Sequence, residues 1–184
     1  ANCYDLLPRK LDLRVKSETI LLARLSAAEA ARLRGLPTVL YQIDSPDIDS
    51  IYLLPPIVYP DGRAYLKIGC NTRADQWLPD LEAMRKWMIA GDSAVMEEPI
   101  RTALEEMIPG LQIEAATTHR CLVAYTAHGK PYVDQLTDRV YVAAGGNGMS
   151  AKSSDTLGWL AANLMQTGGW PLAFERALFE ARFV

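Results

Sequence analysis

Apolar and polar residues alternate along much of the first 70 positions, which is the pattern of half-buried β-strands. Residues 11–25 carry this alternation and predict one or two strands, with a turn near Lys16 and Ser17. Residues 38–43 are β-branched and aromatic and predict a further strand. Residues 51–59 and 63–70 flank a Pro-Asp-Gly turn, the strongest hairpin signal in the chain.

Helical spacing of apolar residues follows in the middle of the chain. Ser26 and Glu29 form a capping box, which opens a short helix that Gly35 ends. Residues 78–90 and 93–108 each place apolar side chains three or four positions apart and predict two more helices.

The C-terminal third returns to strand patterns before its last helices. Residues 111–126 are extended in pattern, and residues 140–144 predict a short buried strand. Residues 156–165 are apolar on one face and predict a helix, and we expect a final helix ending near Val184.

Composition narrows the class of protein. The 184 residues are 49% hydrophobic and 22% charged, which suits a soluble globular protein of one or two domains. A net charge of -3 argues against a nucleic-acid partner, and no apolar run reaches the length of a membrane span. The cysteines are Cys3, Cys70 and Cys121, and with two histidines they argue against a zinc site or a disulfide framework. We therefore expect a reducing, cytoplasmic location.

A glycine-rich turn is the most informative feature. Gly145, Gly146, Asn147 and Gly148 follow a predicted strand and precede a predicted helix. Such a turn can bring backbone N–H groups and the positive end of a helix against an anionic or electron-rich ligand. It can equally be a tight connection and nothing more. The turn lacks a dinucleotide-binding fingerprint, because the third glycine and the acidic residue about 20 positions on are missing.

The segment 121–158, which contains this turn, resembles the C-terminal flavin-binding segment of the FAD-dependent amine and amino-acid oxidases. That family includes D-amino-acid oxidase and sarcosine oxidase, and the sarcosine oxidase branch is the more similar. The hairpin segments 54–62 and 65–69 share the resemblance, as does the strand at 13–25.

The resemblance implies an α+β fold, with a mainly antiparallel substrate-domain sheet, flanking helices and a C-terminal strand-turn-helix. It implies a substrate-binding domain at 11–120 and the C-terminal part of an FAD-binding domain at 121–184. The N-terminal, Rossmann half of such an enzyme is absent from the 184 residues, which look like a piece of a longer protein. We expect oxidation of the C–N bond of an amine or amino acid to an imine, with FAD reoxidised by oxygen. The isolated piece is expected to bind FAD weakly and to be inactive.

The resemblance also assigns residues. Lys152 stands where sarcosine oxidases carry a lysine facing the flavin, and it is the candidate catalytic residue. Without the resemblance, it is a solvated lysine at a helix start. The candidate cofactor-binding residues are Gly145, Gly146, Asn147, Gly148, Met149 and Cys121.

Cys121 and His128 each allow two interpretations. Cys121 occupies the position of the cysteine that this branch bonds to its flavin, or else it is a small buried apolar residue. His128 replaces an Asp of the family, and it either lines the substrate pocket or is a surface residue. Tyr65 and Lys67 alternate along one strand, so they either line the pocket together or form an exposed hairpin face.

Two other functions remain open. A flavin dehydrogenase of the same superfamily, acting on a hydroxy acid and passing electrons to another acceptor, would share these features. A non-catalytic α+β binding module would share the fold alone.

Overall fold

The computed structural model describes residues 6–7, 9–43 and 45–184. The chain contains both strands and helices, and short 3-10 turns lie at 94–96, 150–153 and 176–178. The strands are β1 (Leu13–Leu25), β2 (Val39–Gln42), β3 (Ile48–Val58), β4 (Ala64–Thr72), β5 (Trp77–Leu78), β6 (Ala115–Thr126), β7 (Tyr132–Thr137) and β8 (Val140–Ala144), and the helices are α1 (Ala27–Arg32), α2 (Leu81–Ala90), α3 (Glu97–Met107) and α4 (Ser154–Thr167).

The main sheet has six strands in the order β2-β3-β4-β1-β5, and β6 also pairs with β1. The four pairings β1–β4, β1–β5, β2–β3 and β3–β4 are antiparallel. The predicted hairpin is confirmed as β3 and β4. The predicted turn near Lys16 and Ser17 is wrong, because β1 runs through both residues without a break. Ser17 stays in the strand because its N–H donates to the Gln76 carbonyl and its hydroxyl accepts the Gln76 N–H.

The α+β fold class is confirmed, with mainly antiparallel sheets, flanking helices and the strand-turn-helix β8–α4. The chain divides into two compact units, each described here by itself. The first, the C-terminal unit, contains the described residues up to 16 together with 77–85 and 122–184, and the second, the sheet unit, contains 17–76 and 86–121. The predicted domains at 11–120 and 121–184 remain a prediction about function.

The sheet unit packs one face of its strands against α1 and α3. Leu21 and Ala23 of β1 and Ile68 of β4 are almost fully buried on that face. They pack in one cluster with Ile100 and Leu104, which α3 places four residues apart on its buried side. Pro99 lies in the first turn of α3, where its missing N–H costs nothing.

Helix α1 is joined to the rest of the sheet unit by a hydrogen bond to a buried carboxylate. The Ser26 hydroxyl accepts the Glu29 N–H, as a capping box requires. The reciprocal half of the predicted box is different, because the Glu29 carboxylate accepts from Arg32 and from the Gln112 N–H. Glu29 thus joins α1 to the segment leading into β6.

The C-terminal unit is built on the β7–β8 hairpin, which α4 covers. Tyr132 and Val142 of the hairpin are buried with Leu11 and Leu13. The predicted helix ending near Val184 is wrong. The tail has only a 3-10 turn at 176–178 and then runs extended, where Phe183 forms a β-bridge with Leu11.

Candidate functional site

The glycine turn after β8 has a backbone that few residue types can adopt. Gly145 and Gly148 have φ of 77° and 71°, and Asn147 between them has φ of 52°. These values lie in the left-handed region, which glycine adopts freely and asparagine tolerates. A Cβ at position 145 would overlap the Thr126 methyl carbon and lie 3.0 Å from Leu13 Cδ2. Both dihedral angle and space therefore require glycine there.

Asn147 holds the turn in place. Its Oδ1 accepts the Thr126 N–H at 2.9 Å, and its Nδ2 donates to the Gly145 carbonyl at 2.7 Å. Its own N–H donates to the Ala124 carbonyl at 2.9 Å. The Asn147 side chain is thus engaged in linking the turn to β6, and only its neighbours' amides remain for a ligand.

Two amides of the turn are available to a ligand. Met149 donates its N–H to the Gly146 carbonyl at 3.0 Å. Among the described residues, the N–H groups of Gly146 and Gly148 have no hydrogen-bond partner. Position 146 is only moderately crowded, since a Cβ there would lie 3.3 Å from Ser150 Cβ. The turn therefore presents two free donors on a backbone with few side chains above it, and the Met149 side chain is exposed.

Lys152 lies on the solvent-exposed side of the 3-10 turn Ser150–Ser153, one residue before Ser153, the N-cap position of α4. The Ser153 side chain accepts no capping hydrogen bond, and the hydroxyl of Ser154 donates to the Ala151 carbonyl. Lys152 thus sits four residues after Gly148, and its ammonium group is free to reach a ligand or solvent.

His128 belongs to the loop between β6 and β7. Its Nδ1 accepts the Lys130 N–H at 3.1 Å, which leaves Nε2 to donate to the Glu180 carbonyl, also 3.1 Å away. The ring lies edge-on to Tyr132, with centroids 5.1 Å apart. Nδ1 is thus used within the loop and Nε2 fastens the C-terminal tail to it, which favours a structural role over substrate contact.

The sheet unit carries a second group of candidates on the face opposite its core. Paired residues of antiparallel strands share a face, and the register pairs Lys67 with Leu22 and Leu54. Gly69, two residues on, pairs with Ile20 and Tyr52. Tyr65 and Lys67 therefore do point to one face, as the alternation predicted. We call this surface, formed by Tyr65, Lys67 and Gly69 with Ile20 and Tyr52 beside them, the polar sheet face.

The Tyr65 hydroxyl is already engaged at the end of the hairpin. It donates to Asp61 Oδ2 at 2.7 Å, and its ring packs edge-on against Tyr59 at 5.2 Å. The hydrogen bond to Asp61 raises the pKa of Tyr65. Lys67 places its Nζ 5.7 Å from the centre of the Tyr52 ring. Of the two predicted lining residues, Lys67 has the setting of a ligand-binding group.

Sequence reasoning missed the residue around which this face is organised. Glu18 lies two residues before Ile20 on the same face of β1 and is only 7% exposed. Burial, and after it the charge of the Glu18 carboxylate and a hydrogen bond to that carboxylate, raises the pKa of Tyr52. The missed signal was the single acidic residue of β1.

The charge of Glu18 also reaches Cys121 on β6. Burial raises the pKa of the Cys121 thiol, the Glu18 carboxylate raises it further, and Lys67 opposes the shift. The Cys121 carbonyl accepts the Trp87 indole N–H at 3.0 Å. Since the thiolate is the nucleophile, this setting favours a protonated, half-buried thiol over one that attacks a flavin.

The structure thus brings the predicted residues together in two groups. Gly145 to Met149 and Lys152 belong to the C-terminal unit, together with His128. Cys121, Tyr65 and Lys67 belong to the sheet unit, with Glu18 and Tyr52 added. Within the described part of the chain, no three His, Cys, Asp or Glu side chains gather as metal ligands, and no helix is long and apolar enough to span a bilayer.

By sequence, the chain matches no protein-family profile and no curated protein. By structure, it is similar to a fructosyl amine:oxygen oxidoreductase (amadoriase I) from Aspergillus fumigatus, at 18% identity and a TM-score of 0.58, over 94% of this chain. It is also similar to a thermally stable mutant of a fructosyl peptide oxidase (17% identity, 92% of this chain, TM-score 0.57) and to a modified fructosyl peptide oxidase from Aspergillus nidulans (17%, 92%, TM-score 0.59). The chain spans 39–40% of the length of these three proteins. At this identity the likeness is one of fold: the chain has the fold of about two fifths of an amadoriase-type oxidase.

Proposed function

We propose that this chain is the substrate-sheet and flavin-turn portion of an FAD-dependent oxidase that oxidises the C–N bond of an amine or amino acid, with oxygen as the electron acceptor. One observation carries the proposal. A left-handed glycine turn, with two unpaired amides, joins β8 to α4 in a chain that shares its fold with enzymes named as amine:oxygen oxidoreductases.

The turn fits the edge of a flavin. The N–H groups of Gly146 and Gly148 are free, and the absence of side chains at these positions lets a flat ring approach the backbone. When bound, FAD would supply the ring that accepts a hydride from the carbon next to nitrogen. The two amides would stabilise negative charge that develops at that ring edge.

The other proposed contributions of the chain are to position the substrate and to stabilise charge. Lys152 would place a positive charge beside the same turn, where it can attract an anionic substrate group or stabilise a developing negative charge. The polar sheet face would hold the substrate, with Lys67 as its cationic member. A tertiary or secondary amine with a free lone pair needs no strong base for this oxidation, which agrees with the structural role of His128.

Two rival functions have different expected behaviour. A dehydrogenase acting on a hydroxy acid would reduce its flavin with the alcohol and reoxidise slowly in air. A binding module without cofactor would hold no flavin in any form. The neighbours' names favour an amine substrate and oxygen.

Rapid-mixing spectroscopy of the full-length protein tests the proposal. We expect anaerobic bleaching of flavin absorbance by a fructosyl amino acid or by N-methylglycine, no bleaching by the matching hydroxy acid, and fast return of the oxidised spectrum on mixing with oxygen. Bleaching by the hydroxy acid alone, or slow reoxidation, would favour the dehydrogenase. A protein without any flavin would support the binding module.

A further inference from the structure

The β2 edge of the main sheet has no part in the function proposed so far. Within the described part of the chain, β2 is the end strand of the sheet and pairs only with β3. The Ile43 N–H donates to the Asp49 carbonyl, so the register places the hydrogen-bonding groups of Tyr41 on the β3 side as well. Leu40 and Gln42 alternate with these residues. Their N–H and C=O groups therefore point away from the sheet.

This edge lacks the features that usually prevent sheet edges from pairing with other chains. Natural edge strands carry charged side chains, prolines or bulges, or are covered by another segment. Residues 38–43 contain no charge and no proline, and β2 pairs with β3 without a register shift. Leu40 and Tyr41 are 76% and 50% exposed. The strand is thus uncharged, apolar and open to pairing on its outer side.

The core face of the sheet continues to this edge. Val39 and Ile43 pack against the main apolar cluster, while Tyr41 lies between them on the same face and is half exposed. A second β2 strand, antiparallel about a two-fold axis at Tyr41, would set Val39 of each copy opposite Ile43 of the other. Leu40 would then lie opposite Gln42, and the outward groups of both would form about four hydrogen bonds across the axis.

The charges on either side of β2 favour this antiparallel arrangement of two copies. Arg34 lies five residues before β2 and Asp47 five residues after it, and both are exposed. Asp49, also exposed, adds a second negative charge at the Asp47 end. In antiparallel pairing the basic flank of each copy meets the acidic flank of the other, whereas parallel pairing would bring like charges together.

We propose that β2 is an interaction surface for a second copy of this chain, which pairs antiparallel with it and joins two main sheets into one. The inference is independent of the proposed function, because it uses no residue of the glycine turn and none assigned to the substrate. A contact made by one short strand of each copy buries little surface. The dimer is therefore weak and forms only as the protein concentration rises.

Sedimentation velocity of the 184-residue chain at increasing concentration tests the pairing. We expect a reversible monomer–dimer equilibrium. Leu40→Lys, which puts like charges on the two facing edges, should raise the dimer dissociation constant by about tenfold or more. The matched control is Val58→Lys, because Val58 is 70% exposed on β3 of the same unit and lies outside the β2 register. A chain that stays monomeric, or equal losses in L40K and V58K, would overturn the proposal.

Charge reversal tests the antiparallel direction. Arg34→Glu and Asp47→Lys should each weaken the dimer, because each places like charges at the two flanks. The double variant R34E/D47K should regain most of the affinity, since opposite charges face each other again, and added salt should reduce all three effects. A double variant that loses as much as the two single variants together would reject the antiparallel arrangement.

A cysteine at the axis tests the register. Mild oxidation should join two Tyr41→Cys chains by a disulfide, because directly opposite residues of a non-hydrogen-bonded pair have closely spaced Cβ atoms. Val58→Cys and the wild type should stay unlinked. Absence of cross-linked Y41C would reject the axis at Tyr41. If the full-length protein stays monomeric while the 184-residue chain dimerises, another segment covers β2, and the second copy is rejected as its partner.

Discussion

At the scale of single residues, the glycine turn joins backbone conformation to the proposed chemistry. Gly145 is required by its dihedral angle and by the Thr126 methyl group, whereas Gly146 and Gly148 leave their amides unpaired. Asn147 supplies the hydrogen bonds that fix the turn to β6. The residues that hold the turn are thus distinct from those that offer donors, and substitutions should separate stability from ligand binding.

Replacing Gly145 by alanine should destabilise the chain strongly. Gly62 has the same φ of 77° but open space around its Cβ position, so Gly62→Ala measures the dihedral cost alone. We expect G62A to lower the free energy of unfolding by about 1 kcal/mol and G145A by roughly 2–4 kcal/mol. Urea-unfolding midpoints followed by circular dichroism test this. Equal losses in the two variants would show that the Thr126 contact is relieved at no cost.

Lys152 should affect catalysis without affecting stability, because its side chain is exposed. In the full-length protein, we expect Lys152→Met to slow either flavin reduction or its reoxidation by about 10- to 1000-fold, through loss of one charge beside the reacting ring. Lys130→Met, a change at an exposed lysine of the same unit, is the control. Stopped-flow absorbance measures both half-reactions. If K152M is as fast as K130M in both half-reactions, Lys152 has no catalytic role and is a solvated surface lysine.

At the scale of elements, the sequence predicted well wherever a local pattern decides structure. The β3–β4 hairpin, the helices α2 to α4 and the strand β8 follow from apolar periodicity and turn residues. The break proposed in β1 and the helix proposed at the C-terminus were wrong, because distant partners decide both. Ser17 bonds with Gln76, 59 positions away, and Phe183 bridges to Leu11.

For the candidate site, too, local features could be predicted from the sequence and contacts between distant residues could not. A glycine turn between a strand and a helix is visible in the sequence, and so is the alternation of Tyr65 and Lys67. The burial of Glu18 against Tyr52 was not visible, because it depends on which residue of β3 comes beside it. The engagement of His128 with Glu180 was hidden for the same reason.

The Glu29 carboxylate, whose hydrogen bonds join α1 to the residues before β6, should make the stability of the fold depend on pH. The hydrogen bond from Arg32, followed by that from the Gln112 N–H, lowers the pKa of Glu29 from 4.5 to about 2. A carboxyl group whose pKa is lower when folded stabilises the fold above the unfolded pKa. That contribution is lost as the pH falls from about 4.5 toward 2.

Glu29→Gln tests this tie. We expect E29Q to lower the free energy of unfolding at pH 7 by about 1–3 kcal/mol, since a charged acceptor of three hydrogen bonds is lost. The difference from the wild type should shrink as the pH falls below 4.5. Chemical unfolding at a series of pH values measures it, with Glu106→Gln, a change at an exposed glutamate of the same unit, as the control. A difference independent of pH would mean that the ionised form contributes nothing.

At the scale of the whole molecule, the proposed flavin turn would contact one edge of the ring, and it does not belong to the kind of unit that binds the rest of FAD. Dinucleotides are held where a parallel β-α-β unit presents its glycine turn to the pyrophosphate. Here β8 pairs antiparallel with β7, and α4 folds back on that hairpin. The two free amides of the turn thus account for the ring contact alone.

The 184-residue chain should therefore bind FAD weakly and should not distinguish it from riboflavin. Two hydrogen bonds at about 0.5–1.5 kcal/mol each support a Kd of about 1 mM or weaker. Ultrafiltration with absorbance at 450 nm measures both ligands, and we expect their dissociation constants to agree. A stoichiometrically yellow chain, or FAD bound much more tightly than riboflavin, would mean that these residues hold the adenine half as well. The glycine turn would then not be the main flavin contact.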